Sequence, residues 1–152
     1  AKQKLKSYYG SISERQFHNT FKQALTMRGD TGENLVGLLE RRLASVVYRM
    51  NLAPTVFSAR QLVSHKHILV NGRIVNISSY LVKPGDVISV RESSRNIPLI
   101  MEAVQQMERS IPSYIEFEAD KFEGKFILVP KLMDIPYPAI MEINLVVEFY
   151  SR

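Results

Sequence analysis

The run Ile68-Leu69-Val70-Asn71-Gly72-Arg73-Ile74-Val75 constrains this chain more than any other stretch. Asn-Gly supplies the positive φ angles of a type I′ turn, and the apolar, largely β-branched residues on either side close it into a tight hairpin. Lys83-Pro84-Gly85-Asp86 makes another turn, and the alternation in Val87-Ile88-Ser89-Val90 predicts a strand after it. Two more strands are expected around Tyr114–Glu118 and Phe126–Val129. The middle of the chain therefore reads as a small, hairpin-rich antiparallel sheet.

Helices come first. Ser13-Glu14-Arg15-Gln16 has the form of a capping box. Phe17, Phe21, Ala24 and Leu25 then fall at helical spacing, which predicts an amphipathic helix over about 14–27. Arg28-Gly29-Asp30-Thr31-Gly32 ends it. A second helical stripe runs through Leu35, Leu38, Leu39, Leu43, Val46, Val47 and Met50, and is expected to bend or break at Arg41-Arg42. Asn51 to Pro54 is a turn, and Thr55 is a good N-cap for a helix covering about 56–65. Another helix is expected over about 97–108, with Pro98 in its first turn. The tail Ile143–Tyr150 suits helix or strand, with helix favoured. The fold class is α+β, with the Phe17/Phe21 pair and the Leu35–Val47 stripe in the core.

Charge is uneven along the chain. Residues 1–73 hold 12 Lys and Arg against 4 Asp and Glu, whereas residues 74–152 hold 8 against 11. A basic half beside an acidic half is the footprint of a protein with one side turned to a polyanion. Cysteine is absent, which excludes a disulfide framework and thiolate metal sites and suits a reducing compartment. No apolar run reaches membrane-span length, and no signal peptide is legible behind Ala1-Lys2-Gln3-Lys4-Leu5-Lys6. The first residue is not methionine, which points to processing or to upstream residues.

The basic residues of the 42–90 segment carry the functional reading. Apolar residues between Leu43 and Met50 and between Ala59 and Val63 should face inward, leaving Arg42, Arg49, Arg60, Lys66 and Arg73 along an outer edge. Gln61, His65 and Asn71 would be neutral donors among them. Arginine suits such an edge because its planar fork clamps phosphate with two hydrogen bonds and stacks on exposed bases. A surface of this kind fits folded RNA, whose narrow major groove hides base edges and whose phosphates and 2′-hydroxyls are read instead. Near the N-terminus, Tyr8 and Tyr9 stand beside Lys2, Lys4 and Lys6. They are placed either to stack on bases or, for one ring, to fill the helical core.

Several runs resemble a known family. Arg42-Leu43, Ala59-Arg60-Gln61-Leu62-Val63, His67-Ile68-Leu69-Val70-Asn71-Gly72 and Val82-Lys83-Pro84-Gly85-Asp86 resemble the RNA-binding module named after small-subunit ribosomal protein four. The flanks Tyr9-Gly10, Glu14-Arg15-Gln16-Phe17, Gly32-Glu33-Asn34-Leu35, Leu38-Leu39-Glu40-Arg41-Arg42-Leu43 and Asn144 to Arg152 resemble that ribosomal protein itself. The resemblance implies a helical lobe of 1–42 completed by 132–152, with 43–131 as an inserted module. It implies direct binding of small-subunit rRNA at a multi-helix junction, nucleation of subunit assembly, and contact with small-subunit protein five that influences decoding accuracy. The mRNA entrance would lie nearby. The expected location is the cytoplasmic ribosome of a bacterium, or a mitochondrial or plastid ribosome. With Arg15, Arg28, Arg41 and Lys83, the residues above complete the RNA-facing set. No cofactor, metal, membrane or homo-oligomer is expected.

Two departures from the family stand out. Its basic N-terminal extension, often metal-binding, is not part of this sequence. Ala44 stands where the module usually has Asp, so a cap or salt bridge should be lost there. Other signals are weaker. His65-Lys66-His67 lacks the ligands zinc requires. Ser58, His65 and Asp86 could be imagined as a nucleophile triad without any supporting motif. Glu116, Glu118, Asp120 and Glu123 read as a solvated face that repels RNA. A free RNA-binding assembly or stress factor remains the alternative function.

Overall fold

A computed structural model describes residues 1–151, and the chain falls into two units, Ala1–Glu40 with Pro130–Arg152 and Arg41–Val129. The first elements in chain order are α1 (Lys2–Tyr8), α2 (Glu14–Thr26), α3 (Thr31–Glu40), α4 (Leu43–Arg49) and α5 (Val56–Ser64). Strands β1 (Ile68–Val70), β2 (Arg73–Ile74) and β3 (Val87–Val90) follow, then α6 (Pro98–Gln106), β4 (Ile115–Glu118), β5 (Glu123–Phe126) and α7 (Ile143–Tyr150).

In the helical lobe the Ser13 hydroxyl accepts the Gln16 N–H at 3.1 Å and starts α2 where the capping pattern requires. The Asn34 side-chain amide closes the other end, donating to the carbonyls of Ala24, Met27 and Arg28 at 3.2, 3.3 and 3.2 Å. Phe17, Phe21 and Ala24 are buried, as are Leu35, Val36, Leu38 and Leu39 of α3. The ambiguous tail is helical. It buries Ile143 and Val146 and lays the Tyr150 ring on Phe21 at 4.8 Å between centroids. α1 has no counterpart in the sequence reading: its one buried apolar residue, Leu5, sits among lysines and leaves no stripe to read.

The module is built on a sheet of order β2-β1-β3-β5-β4, antiparallel throughout. Asn71 (φ 51°) and Gly72 (φ 81°) turn β1 into β2, as the Asn-Gly pair dictates. Ile68, Val70, Ile88 and Val90 enter a core shared with Leu43, Val46, Val47, Leu62 and Val63. Ahead of α4 the chain leaves helical geometry at Arg42, which forms a β-bridge to Leu81. The first amides of α4 donate to loop carbonyls, Leu43 to Tyr80 at 2.8 Å and Ala44 to Ser78 at 3.2 Å. Backbone acceptors thus serve this helix start, where an Asp side chain was expected to be missed.

One strand is displaced from its expected place. The apolar run Phe126–Val129 predicts a strand, yet β5 covers Glu123–Phe126, and Ile127, Leu128 and Val129 are exposed. The reason is a close approach at Gly124. A Cβ there would lie 2.6 Å from Met50 Cε and 2.7 Å from the Glu116 carbonyl oxygen. Only glycine lets β5 run between α4's last turn and β4.

Candidate nucleic-acid interface

Two groups of basic and polar donors stand out on the module. The first spans the end of α5 and the turn into β1. Arg60 is half-buried, while Gln61, His65 and Lys66 are exposed, with Lys66 in the left-handed region at φ 66°. The second lies at the other end of β1, where the β1–β2 hairpin meets the turn before β3. Asn71 Nδ2 donates to Asp86 Oδ1 at 3.0 Å, and Asn71 Oδ1 accepts the Val87 N–H at 2.9 Å. The other Asp86 oxygen accepts the Lys83 N–H at 2.9 Å. This latch leaves Arg73, the first residue of β2, and Lys83, on the turn before β3, exposed. Three residues of strand separate the two groups, or roughly 10 Å at the usual rise.

The structure revises several expectations. Arg42 and Arg49 are not left outside: they are 7% and 3% exposed. Arg42 sits where the chain crosses from helix to bridge, and burial, with Arg60 nearby, lowers its pKa. The Arg49 guanidinium lies 5.6 Å from the Tyr48 ring centroid. Arg41 is half-buried and donates through Nε to the Val82 carbonyl at 2.8 Å. The Asn71 amide is a latch between turns, with both polar atoms engaged inside the module. Asp86, an imaginable partner for Arg60, is held by Asn71 and the Lys83 turn.

In the helical lobe the expected cations are largely engaged. Lys2 and Lys6 reach the Glu14 carboxylate at 3.3 and 2.9 Å, and Tyr150 donates its hydroxyl to Glu14 at 2.7 Å. The Tyr150 hydrogen bond, then Lys6 and Lys2, hold the Glu14 carboxyl down at about 2. Lys2 also lies 4.2 Å from the Phe149 ring centroid, and Lys4 donates to the Ile140 carbonyl at 3.4 Å. Tyr9 is buried, with its hydroxyl bonded to Glu40 and Tyr137, so it is core and not a stacking platform. Tyr8 remains half-exposed, edge-on to Tyr9 and Tyr137 at 5.2 Å. Arg15 and Arg28 are exposed.

Two arginines escaped the sequence reading. Arg109 donates to the Tyr48, Ala53 and Pro54 carbonyls at 2.9, 2.9 and 3.3 Å and lies 3.9 Å over the Tyr48 ring. It staples the end of α4, a role that no spacing in the sequence announces. Arg91 follows β3 and is set beside His67 by the sheet register, which is invisible until the strands are paired. Among the described residues no cluster of His, Cys, Asp and Glu could hold a metal ion, and no helix is long and apolar enough to cross a membrane.

Helices leading into a hairpin-led antiparallel sheet, with basic and polar donors on the helix edge and turns, have the form of an RNA-binding module. The S4 domain profile matches residues 41–88, and the profile described as Ribosomal protein S4/S9 N-terminal domain matches residues 1–40. The chain is 60% identical over 152 residues to "Small ribosomal subunit protein uS4" of Paramagnetospirillum magneticum, and 59% identical to those of Xanthobacter autotrophicus and Rhodospirillum rubrum. Each match covers 100% of this chain and 74% of the relative. The chain belongs to the uS4 family of small ribosomal subunit proteins, a structural family and not an enzymatic one.

Proposed function

We propose that this protein holds folded small-subunit rRNA at a multi-helix junction through the outer edge of α5 and the turns at both ends of β1. The carrying observation is the pair of donor groups on the module matched by the S4 domain: Arg60, Gln61, His65 and Lys66 at one end, Arg73 and Lys83 at the other. The side chains of Gln61, His65, Lys66, Arg73 and Lys83 have no carboxylate partner among the described residues. The helical lobe, taken by itself, exposes Arg15, Arg28 and Lys4. Aromatic platforms are few, so phosphate and 2′-hydroxyl contacts at a folded junction suit this surface better than stacking on single strands.

Family membership supports the wider role. The protein joins the small subunit early, nucleates assembly, and borders small-subunit protein five beside the mRNA entrance, where their contact tunes decoding accuracy. Bacterial relatives support a cytoplasmic ribosome; the same donors would serve a mitochondrial or plastid ribosome equally well. Competition filter binding with a junction fragment, a plain RNA hairpin and duplex DNA tests the core of the proposal. Preference for the junction is expected, and equal affinity for all three would reduce the surface to a generic basic patch. Co-sedimentation with small subunits tests the assembly role, and cross-linking to protein five tests the neighbour.

A further inference from the structure

His67 and Arg91 are opposite one another where β1 and β3 pair. Ile68 faces Val90, and the Arg91 N–H donates to the His67 carbonyl at 2.9 Å just beyond that pair. Two cationic side chains opposed across strands repel. One partial remedy is present: burial first, then Arg91 and His65, depresses the His67 pKa and favours the neutral ring. Its Nδ1 lies 2.8 Å from the Ser94 hydroxyl, and Ser94 is 2% exposed. With Ser94 donating to Nδ1, Nε2 carries the ring proton and becomes a donor. The His65 ring stands 6.3 Å away, edge-on.

Arg91 is less well satisfied. Its Nε is shut off from solvent and has no hydrogen-bond acceptor, and no carboxylate pairs with it among the described residues. A buried, unanswered N–H on a guanidinium calls for an acceptor, and the call is stronger for a charged group. Arg95 cannot compensate: its own Nε donates to the Val90 carbonyl at 3.2 Å and its guanidinium lies over the Phe122 ring. Beside Arg91 stand His67 across the strand pair and Glu92 next in the chain, while His65 stands beside His67.

We propose that Arg91, flanked by His67, is a phosphate subsite that takes one phosphodiester of the bound RNA. The proposal rests on the RNA-binding reading above and extends it from α5 and the turns to the end of β3. The open terminal Nη groups of Arg91 supply the charge and the N–H donors, with Nε closed off behind them, and His67 Nε2 adds a donor when the Ser94 hydroxyl donates to Nδ1. Lys66 carries a further exposed charge on the turn into β1.

Two measurements on the whole chain test it. The Arg91 Nε–H signal is followed by NMR during titration with inorganic phosphate. Affinity for a small-subunit rRNA junction fragment is measured against salt for wild type, Arg91→Ala, Arg91→Lys and His67→Gln. Expected are a saturable shift of the Nε–H signal, about tenfold weaker RNA binding for Arg91→Ala, and a salt slope smaller by about one. Arg91→Lys should regain the slope and only part of the affinity. Unchanged affinity and slope in Arg91→Ala, with wild type binding the junction, would overturn the subsite and leave the broader reading standing. If wild type shows no preference for the junction, the broader reading fails, and the phosphate titration alone decides the subsite. Should Arg91→Ala lose its fold, Arg91→Lys and the titration decide. No response to phosphate, together with wild-type affinity in Arg91→Lys, means a water-satisfied structural arginine and rejects the proposal.

Discussion

In the helical lobe Lys2 and Lys6 converge on one carboxylate, Glu14, whereas the side chains of Gln61, His65, Lys66, Arg73 and Lys83 of the module meet none among the described residues. Both stretches look alike in a count of charges. The lobe uses its lysines to tie α1 to Glu14 at the start of α2, and the Tyr150 hydroxyl at the end of α7 donates to the same carboxylate. The module answers several of its buried or half-buried cations with backbone carbonyls and rings, as at Arg41 and Arg109, and leaves others outward. The sheet sharpens the contrast: its β2 edge carries Arg73, while its β4–β5 edge sets Glu118 directly opposite Glu123. Basic content locates a polyanion-binding face only after the internally engaged cations are set aside.

The two units are also held differently, and the largest predicted effect breaks the lobe. Deleting 143–152 removes the buried Ile143 and Val146, takes the Tyr150 ring off Phe17 and Phe21, and should lower stability by several kcal/mol, about 3–5. Thermal unfolding measures it, and an unchanged midpoint would show the tail to be dispensable. Within that tail Val146 is 1% exposed, whereas Leu145 and Phe149 are 45% and 49% exposed. Leu145→Ala should therefore cost far less than Val146→Ala. The matching break in the module is Gly124→Ala. Met50 can swing away from the added methyl, but the Glu116 carbonyl is backbone, so a cost of about 3 kcal/mol is expected, at the upper end for overpacking. Urea unfolding within error of wild type would mean that β5 can shift freely.

A paired substitution tests the contrast in charge directly. Arg60→Ala should weaken junction-RNA binding by roughly 1–3 kcal/mol and reduce the salt slope by about one. Arg60→Lys should recover the slope but only part of the affinity, since a point charge lacks the planar fork. Lys6→Ala, removing a cation already paired with Glu14, should change the slope by less. If Arg60→Ala lowers the melting temperature and leaves the slope untouched, Arg60 is an internal anchor like Arg109. An equal slope change for both would erase the distinction between lobe and module.

What was legible in the sequence was local. Asn71-Gly72, Ser13 with Gln16, and Thr55 announce their turn and caps because each works through atoms within a few residues. The family motifs placed the module for the same reason, as contiguous runs. What was not legible depends on partners distant in sequence. β5 is set by the approach of Met50 and Glu116 to Gly124, not by the apolar run after it. Arg42 and Arg49 look like surface residues until α4 is docked, and Tyr9 looks like a platform until Glu40 and Tyr137 enclose its hydroxyl. Arg91 acquires meaning only from the register of β1 and β3.

The smallest effect concerns pH, and it probes the lobe's side of the comparison. Glu14 is exposed, so screening keeps its ion pairs weak. Its carboxyl is nevertheless held from 4.5 down to about 2 by the Tyr150 hydroxyl, Lys6 and Lys2. A carboxyl depressed in the folded state adds stability that is complete above its unfolded value and disappears as pH falls through its folded value. The stabilisation from Glu14 should thus be fully present at neutral pH and decline between about 4.5 and about 2. Glu14→Gln should melt slightly below wild type at pH 7, with the gap closing as pH falls through that window. The Tyr150 hydroxyl has its pKa raised, by burial and then by the same hydrogen bond, and so stays protonated as a donor across the whole range. Tyr150→Phe removes that donor and should weaken the pH dependence without abolishing it, because Lys6 and Lys2 remain. A gap between wild type and Glu14→Gln that stays constant from pH 7 to pH 2 would show that the lysines are not engaged at Glu14 in solution. They would then join the exposed cations, and the lobe would rank with the module as a surface for RNA.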